Sequence, residues 1–168
     1  TIYCYLPVDV SGEATHRLRV LPQEVLAVPD DPACCRQQHI ALADDEDSLR
    51  ELLVEILSDR GYTVHAFANG RELVDNLHDG LRCQTVLLDM IMPIMNGADA
   101  ADIIASLPDP PTVILMTGHA GDADITPLRE RGLIAEVLYK PFRDEELLAA
   151  ICRNCSLSGC DRSWPHAT

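Results

Sequence analysis

The chain has 168 residues, 47% apolar and 4% aromatic, and its 13 basic and 27 acidic residues give a net charge of −14. That length holds one domain with extensions, and the apolar share is too high for disorder throughout. The acidity argues against a nucleic-acid phosphate binder, no apolar run approaches the roughly 18–20 residues of a membrane helix, and the opening residues do not read as a secretory leader. Seven cysteines are an odd count in a chain of this size, so they read as reduced thiols in a cytoplasmic setting rather than a disulfide framework. Twelve of the basic residues are Arg; the one lysine is Lys140.

Residues 1–7, Thr1-Ile-Tyr-Cys-Tyr-Leu-Pro7, alternate as a strand, and 8–37 read as a linker with Pro22, Pro29, Pro32 and the Asp30-Asp31 pair. The regular part spans 38–153. His39–Ala43 is a short buried strand ending at Asp44-Asp45. Leu49, Leu52, Leu53, Ile56 and Leu57 then follow the apolar spacing of one helix face, with Ser48-x-x-Glu51 as an expected capping box and Gly61 as the stop. Tyr62–Phe67 is the second strand. Asn69-x-x-Glu72 opens a helix that turns Leu73, Val74 and Leu77 inward and closes at Gly80. Thr85–Leu88 is a third strand ending at Asp89, and Gly97–Leu107 a helix stopped before Pro108. Thr112–Met116 is a fourth strand ending at Thr117. A weak helix containing Pro127 covers 122–131, Ile134–Leu138 is a fifth strand ending at Lys140-Pro141, and Arg143–Arg153 is the last helix.

Five β-α units predict an α/β fold with a parallel sheet and helices on both faces. Ligands in such sheets bind beyond the carboxyl ends of the strands. Those ends carry Asp44, Asp45, Asp89, Thr117 and Lys140, so three acids, a hydroxyl and the lysine are expected on one rim. Carboxylates about 4 Å apart repel by about 4 kcal/mol at a near-surface dielectric constant, and a hard divalent cation such as Mg²⁺ is the usual relief. A lysine opposite the cation suits phosphoryl oxygens, and a carboxylate can itself be the nucleophile of phosphoryl transfer.

Asp44-Asp45, Asp89-Met-Ile-Met-Pro93-Ile-Met-Asn-Gly97, Met116-Thr117-Gly118 and Lys140-Pro141-Phe142 stand in order, each at its strand end. In this the sequence resembles the response-regulator receiver domain of two-component signalling, over about 115 residues. The resemblance implies a doubly wound, flavodoxin-like sheet of order 2-1-3-4-5. It implies that Asp89 accepts a phosphoryl group from phosphohistidine. Asp45 would bind Mg²⁺ directly, with Asp44 assisting through water and the backbone carbonyl of Ile91 as a further ligand. Thr117 and Lys140 would hold the phosphoryl oxygens, and the peptide bond before Pro141 would be cis. The implied partners are a histidine kinase or a histidine phosphotransfer protein, with at most a weak homodimer and neither nucleic acid nor membrane contact.

Two positions depart from the family pattern. Where an aromatic switch often stands, three residues before the lysine, this chain has Val137, with Tyr139 directly before Lys140. Two residues after Asp89 stands apolar Ile91, which offers an attacking water no hydrogen bond, whereas His119 is placed to modulate the site. A rival reading takes Asp45-Glu46-Asp47 as the nucleophile motif of a haloacid-dehalogenase-like phosphatase, but leaves the Asp89–Gly97 motif unexplained. A phosphorylation-independent binding module would be expected to lack the acceptor or the lysine. Residues 1–7 also resemble the last strand of a histidine-kinase ATP-binding domain, which makes the C-terminal receiver of a hybrid sensor kinase the expected context. The tail, 154–168, reads as disordered; Cys152, Cys155, Cys160 and His166 have zinc-knuckle-like spacing, with Cys152 expected on the apolar face of the last helix.

Overall fold

Among the described residues ten elements alternate: β1 (His39–Ala43), α1 (Asp47–Asp59), β2 (Thr63–Phe67), α2 (Gly70–His78), β3 (Thr85–Asp89), α3 (Gly97–Ala105), β4 (Thr112–Thr117), α4 (Asp122–Glu130), β5 (Glu136–Tyr139) and α5 (Asp144–Arg153). The computed structural model describes residues 38–118 and 122–155. The expected strand over 1–7, the linker over 8–37, His119, Cys160 and His166 lie outside the described residues.

The strands pair in parallel in the order β2-β1-β3-β4-β5. β1, β3 and β4 are near-continuous apolar runs because helices cover both of their faces. Successive side chains feed opposite sides of the sheet. Ala41, Ala43, Val86, Leu88, Val113 and Leu115 meet α2, α3 and α4 on one side. Ile40, Leu42, Leu87, Ile114 and Met116 meet α1 and α5 on the other. Each fully buried Leu or Ile contributes about 1.5–3 kcal/mol.

Helix α1 ends as expected: Gly61 has φ 90°, Tyr62 N–H donates to the Leu57 carbonyl at 3.1 Å and Gly61 N–H to Ser58 at 2.9 Å. Its start is a correction. The helix begins at Asp47 with no side-chain cap bond, so Ser48-x-x-Glu51 forms no capping box. Arg50 holds this end instead, pairing with Asp47 and donating to the Asp44 carbonyl at 2.7 Å. Leu52, expected on the inward face, is 50% exposed; Leu53 and Leu57 carry the packing. Helix α2 opens at Asn69 as expected: its side chain accepts from Glu72 N–H at 2.9 Å, while the Glu72 carboxylate accepts from Ala68 N–H, one residue before the cap, at 3.3 Å. Asn69→Ala is expected to cost about 1 kcal/mol, read as a lower urea midpoint at unchanged slope.

Strand β5 is displaced relative to the expectation, because its ladder opens at Ile114–Glu136 rather than at Ile134. Packing also continues past Arg153. Cys155 is buried and accepts from the fully buried Gln38 amide at 2.6 Å, and Asn154 donates to Glu136 at 2.7 Å. Cys152 packs on the α1/α5 side, as expected for an apolar-face thiol. Among the described residues no three metal-ligating side chains cluster, and no helix is long and apolar enough to cross a membrane.

Candidate functional site

The sheet register builds the site. Ala43 pairs with Leu88, so the next residues, Asp44 and Asp89, end neighbouring strands, roughly 4.8 Å apart by strand spacing. Backbone hydrogen bonding therefore forces two carboxylates together where helices exclude water. Asp44 is fully buried and Asp89 is 6% exposed. Lys140, at the end of β5, lies across both: its ammonium donates to Asp44 Oδ2 at 2.7 Å and to Asp89 Oδ1 at 2.6 Å. The remaining oxygens accept from backbone, Asp44 Oδ1 from Glu46 N–H at 3.0 Å and Asp89 Oδ2 from Ile91 N–H at 3.0 Å.

Desolvation is the largest influence on Asp89 and pushes its carboxyl above the ordinary aspartate value; Lys140 pulls it down and the charge of Asp44 pushes it up again. For Lys140 desolvation is also largest and disfavours the ammonium, but its two carboxylate partners outweigh it and hold the group above the ordinary lysine value.

Three acids, Asp44, Asp45 and Asp89, follow or end β1 and β3. Two are gathered, with the lysine between them as an internal counter-ion. Asp45 is exposed on the same rim and takes no part in those ion pairs. Thr117 is buried at the end of β4, and its carbonyl accepts from Lys140 N–H at 2.7 Å. Val137 is buried in the core, while Tyr139 is 52% exposed. The Lys140-Pro141 bond is cis, as the resemblance implies. Asp47 is exposed and bound to Arg50, so the phosphatase-like Asp-x-Asp pair does not converge on the rim.

The loop from Met90 to Asn96 supplies features that spacing alone did not reveal. Gly97 opens α3 with its N–H donating to the Met90 carbonyl at 3.0 Å. A Cβ there would stand 2.4 Å from the Asp89 carbonyl oxygen and 2.9 Å from Met90 Cα. The glycine of the motif thus lets α3 start against the backbone that carries Asp89. Ile94 has φ 69° at the centre of a turn closed by Met95 N–H on the Pro93 carbonyl at 2.7 Å, and it is 81% exposed. A β-branched residue in this region is strained by about 1–2 kcal/mol, whereas Asn tolerates it. Ile94→Asn is therefore expected to stabilise the fold by about 0.5–1 kcal/mol, seen as a raised melting temperature.

A family model described as "Response regulator receiver domain" matches residues 40–152. The chain belongs to this receiver-domain family. The receiver is 35% identical over 112 residues to a transcriptional regulatory protein CpxR homolog of Haemophilus influenzae, covering 67% of this chain and 48% of that one. Among solved structures it superposes on the non-phosphorylated HemR receiver domain of Leptospira biflexa with TM-score 0.65 at 30% identity, covering 78% and 100% of the two chains. It also superposes on the response regulator protein TrrA of Thermotoga maritima in complex with Mg²⁺-BeF, with TM-score 0.63 at 27% identity, covering 71% and 100%. The chain spans between 18% and 50% of the length of the curated relatives it matches. The fold and its place in two-component response regulation therefore stand as the sequence indicated.

Proposed function

We propose that Asp89 is the phosphoacceptor of this receiver and that its donor is the phosphohistidine of a cytoplasmic histidine kinase or histidine phosphotransfer protein. One observation carries the reading: a nearly buried carboxylate at the carboxyl end of the central strand, with one oxygen held by the only lysine and the other by a backbone N–H. A carboxylate oxygen of Asp89 attacks phosphorus, the P–N bond breaks, and the imidazole leaves with the bonding pair, giving an acyl phosphate. Lys140 then neutralises the transferred oxygens, and the hydroxyl of Thr117 donates to one of them.

Mg²⁺ suits the donor set, all hard oxygens on an acidic rim. It takes few carboxylates and keeps its waters, so it requires no preformed cage. Asp45 and Asp89 would hold it directly, Asp44 through water, and the Ile91 carbonyl as a further ligand. When bound, the ion supplies charge neutralisation for the phosphoryl oxygens. Outside the described residues, His119 is proposed as a modulator of acyl-phosphate lifetime, since Ile91 offers water no side-chain bond.

Incubation with Mg²⁺ and a small phosphodonor, followed by intact mass, tests the reading. The parent is expected to gain one phosphoryl group and Asp89→Asn none; an adduct that persists in Asp89→Asn would place the acceptor elsewhere. In the same series Mg²⁺ at a hundredfold excess over its dissociation constant should add about 2.7 kcal/mol of stability. Asp45→Ala should abolish the accompanying rise in melting temperature, and an undiminished rise would mean that the ion binds away from Asp45.

A further inference from the structure

Away from the carboxylate rim the sheet brings two histidines together. His39 opens β1 and His65 is the middle residue of β2, the edge strand. Ala41 pairs with His65, so His39 and His65 are diagonal neighbours on one face of the sheet. Their rings are nearly parallel, with an interplanar angle of 12° and centroids 5.6 Å apart. His39 Nδ1 and His65 Nε2 lie 3.3 Å apart. The His39 backbone is pinned, because its N–H donates to the Gln84 side chain at 2.8 Å and its carbonyl accepts from Gln84 N–H at 3.0 Å.

The nitrogen separation is informative. It lies within reach of an N–H···N hydrogen bond, and it also matches the spacing of two ligands on one ion. Two nitrogens each about 2.0–2.1 Å from a shared tetrahedral ion stand about 3.3–3.4 Å apart. The strands therefore hold the two donors at the spacing of a metal-ligand pair before any ion arrives. The broad χ2 torsion of histidine lets both lone pairs turn toward a common point at little cost. Imidazole ligands select late transition metals over Mg²⁺. His39 lies five residues from Asp44, about 16 Å at the rise of a strand, so such a site is separate from the carboxylate rim.

We propose that His39 and His65 form a two-imidazole site for a divalent late transition-metal ion, with water completing its coordination. Occupancy staples the edge strand β2 to β1 and stabilises the folded state by mass action.

The test is titration of the full chain with NiCl₂ in excess Mg²⁺, which keeps the acidic rim occupied. It is followed by calorimetry and by imidazole-detected nitrogen NMR. The expected result is a binding step that weakens at least tenfold in His39→Ala and in His65→Ala. The His39 and His65 ring signals should also be the first to broaden in the parent. Affinity within twofold of the parent in His65→Ala would overturn the proposal. So would sharp His39 and His65 signals at one equivalent of Ni²⁺, a readout that needs no variant to fold. In that case the 3.3 Å contact is an imidazole–imidazole hydrogen bond and nothing more.

Discussion

Lys140→Met is expected to lower stability at neutral pH by about 3 kcal/mol, the lower end of the range for breaking a buried ion pair, because 21% of the lysine side chain is exposed. The loss comes from what remains. Asp44 and Asp89 stay buried on adjacent strand ends with no cation between them. The pH dependence identifies the cause. Asp89 has a raised folded value, so above 3.8 the folded protein holds its proton more firmly than the unfolded chain. Its contribution to stability therefore falls as pH rises from 3.8 through that folded value. Lys140 pulls against this rise, so its removal carries the window further upward. Lys140 itself, raised above 10.5, contributes stability that is complete below 10.5 and lost as pH rises through its folded value. The deficit of Lys140→Met should therefore be smaller near pH 4 than at pH 7, because the part that comes from Asp89 grows as that carboxyl ionises without its cation. Urea melts at the two pH values measure it, and an equal deficit at both would mean lost packing rather than unpaired charge. The same variant should take no phosphoryl group under conditions that label the parent, since no second lysine exists to replace the charge.

Gly97→Ala is expected to be nearly as damaging, against the ordinary trend. In a helix interior alanine is favoured over glycine by about 1 kcal/mol. Here the added methyl would meet the Asp89 carbonyl oxygen at 2.4 Å. That neighbour is backbone, fixed in the β3 ladder, and has no rotamer through which to move away. Helix α3 or the end of β3 must shift, at about 1–3 kcal/mol, and the Asp89 carboxylate moves with its strand. Both lower stability and slower phosphorylation should follow. Gly118→Ala supplies the contrast: on the exposed rim no described residue lies within 4 Å of the place its methyl would take, so stability should stay within about 0.5 kcal/mol of the parent. Equal effects of the two substitutions would remove close approach as the reason for Gly97.

The architecture was legible because strong local signals agreed with the global pattern. The strands of the sheet centre are unbroken apolar runs, and Asn69 and Gly61 mark helix ends through their own chemistry. The strand ends that carry Asp44, Asp89, Thr117 and Lys140 followed from the alternation of β and α. What could not be read depended on through-space partners. Ser48-x-x-Glu51 satisfies a capping pattern, but Arg50 secures that helix by reaching the Asp44 carbonyl, a contact that no local rule predicts. Asp44 and Asp45 are neighbours in sequence yet differ wholly in burial, because only Asp44 continues the strand into the core. That Lys140 bridges Asp44 and Asp89 directly required the distances themselves. Leu52 fits the helical period and still faces out, since the apolar stripe of α1 is narrower than its sequence suggests.

A single ε-amine in the whole sequence, clasped by two carboxylates, also makes the rim chemically addressable. A protonated ammonium so held is a poor nucleophile toward acylating reagents, whereas one released from Asp44 or Asp89 deprotonates more readily. With Lys140 the only lysine, acylation of a lysine side chain can report on one location alone. The extent of labelling at that residue becomes a direct gauge of how tightly the two strand ends are bridged. It does so in the unmodified sequence, without an engineered probe.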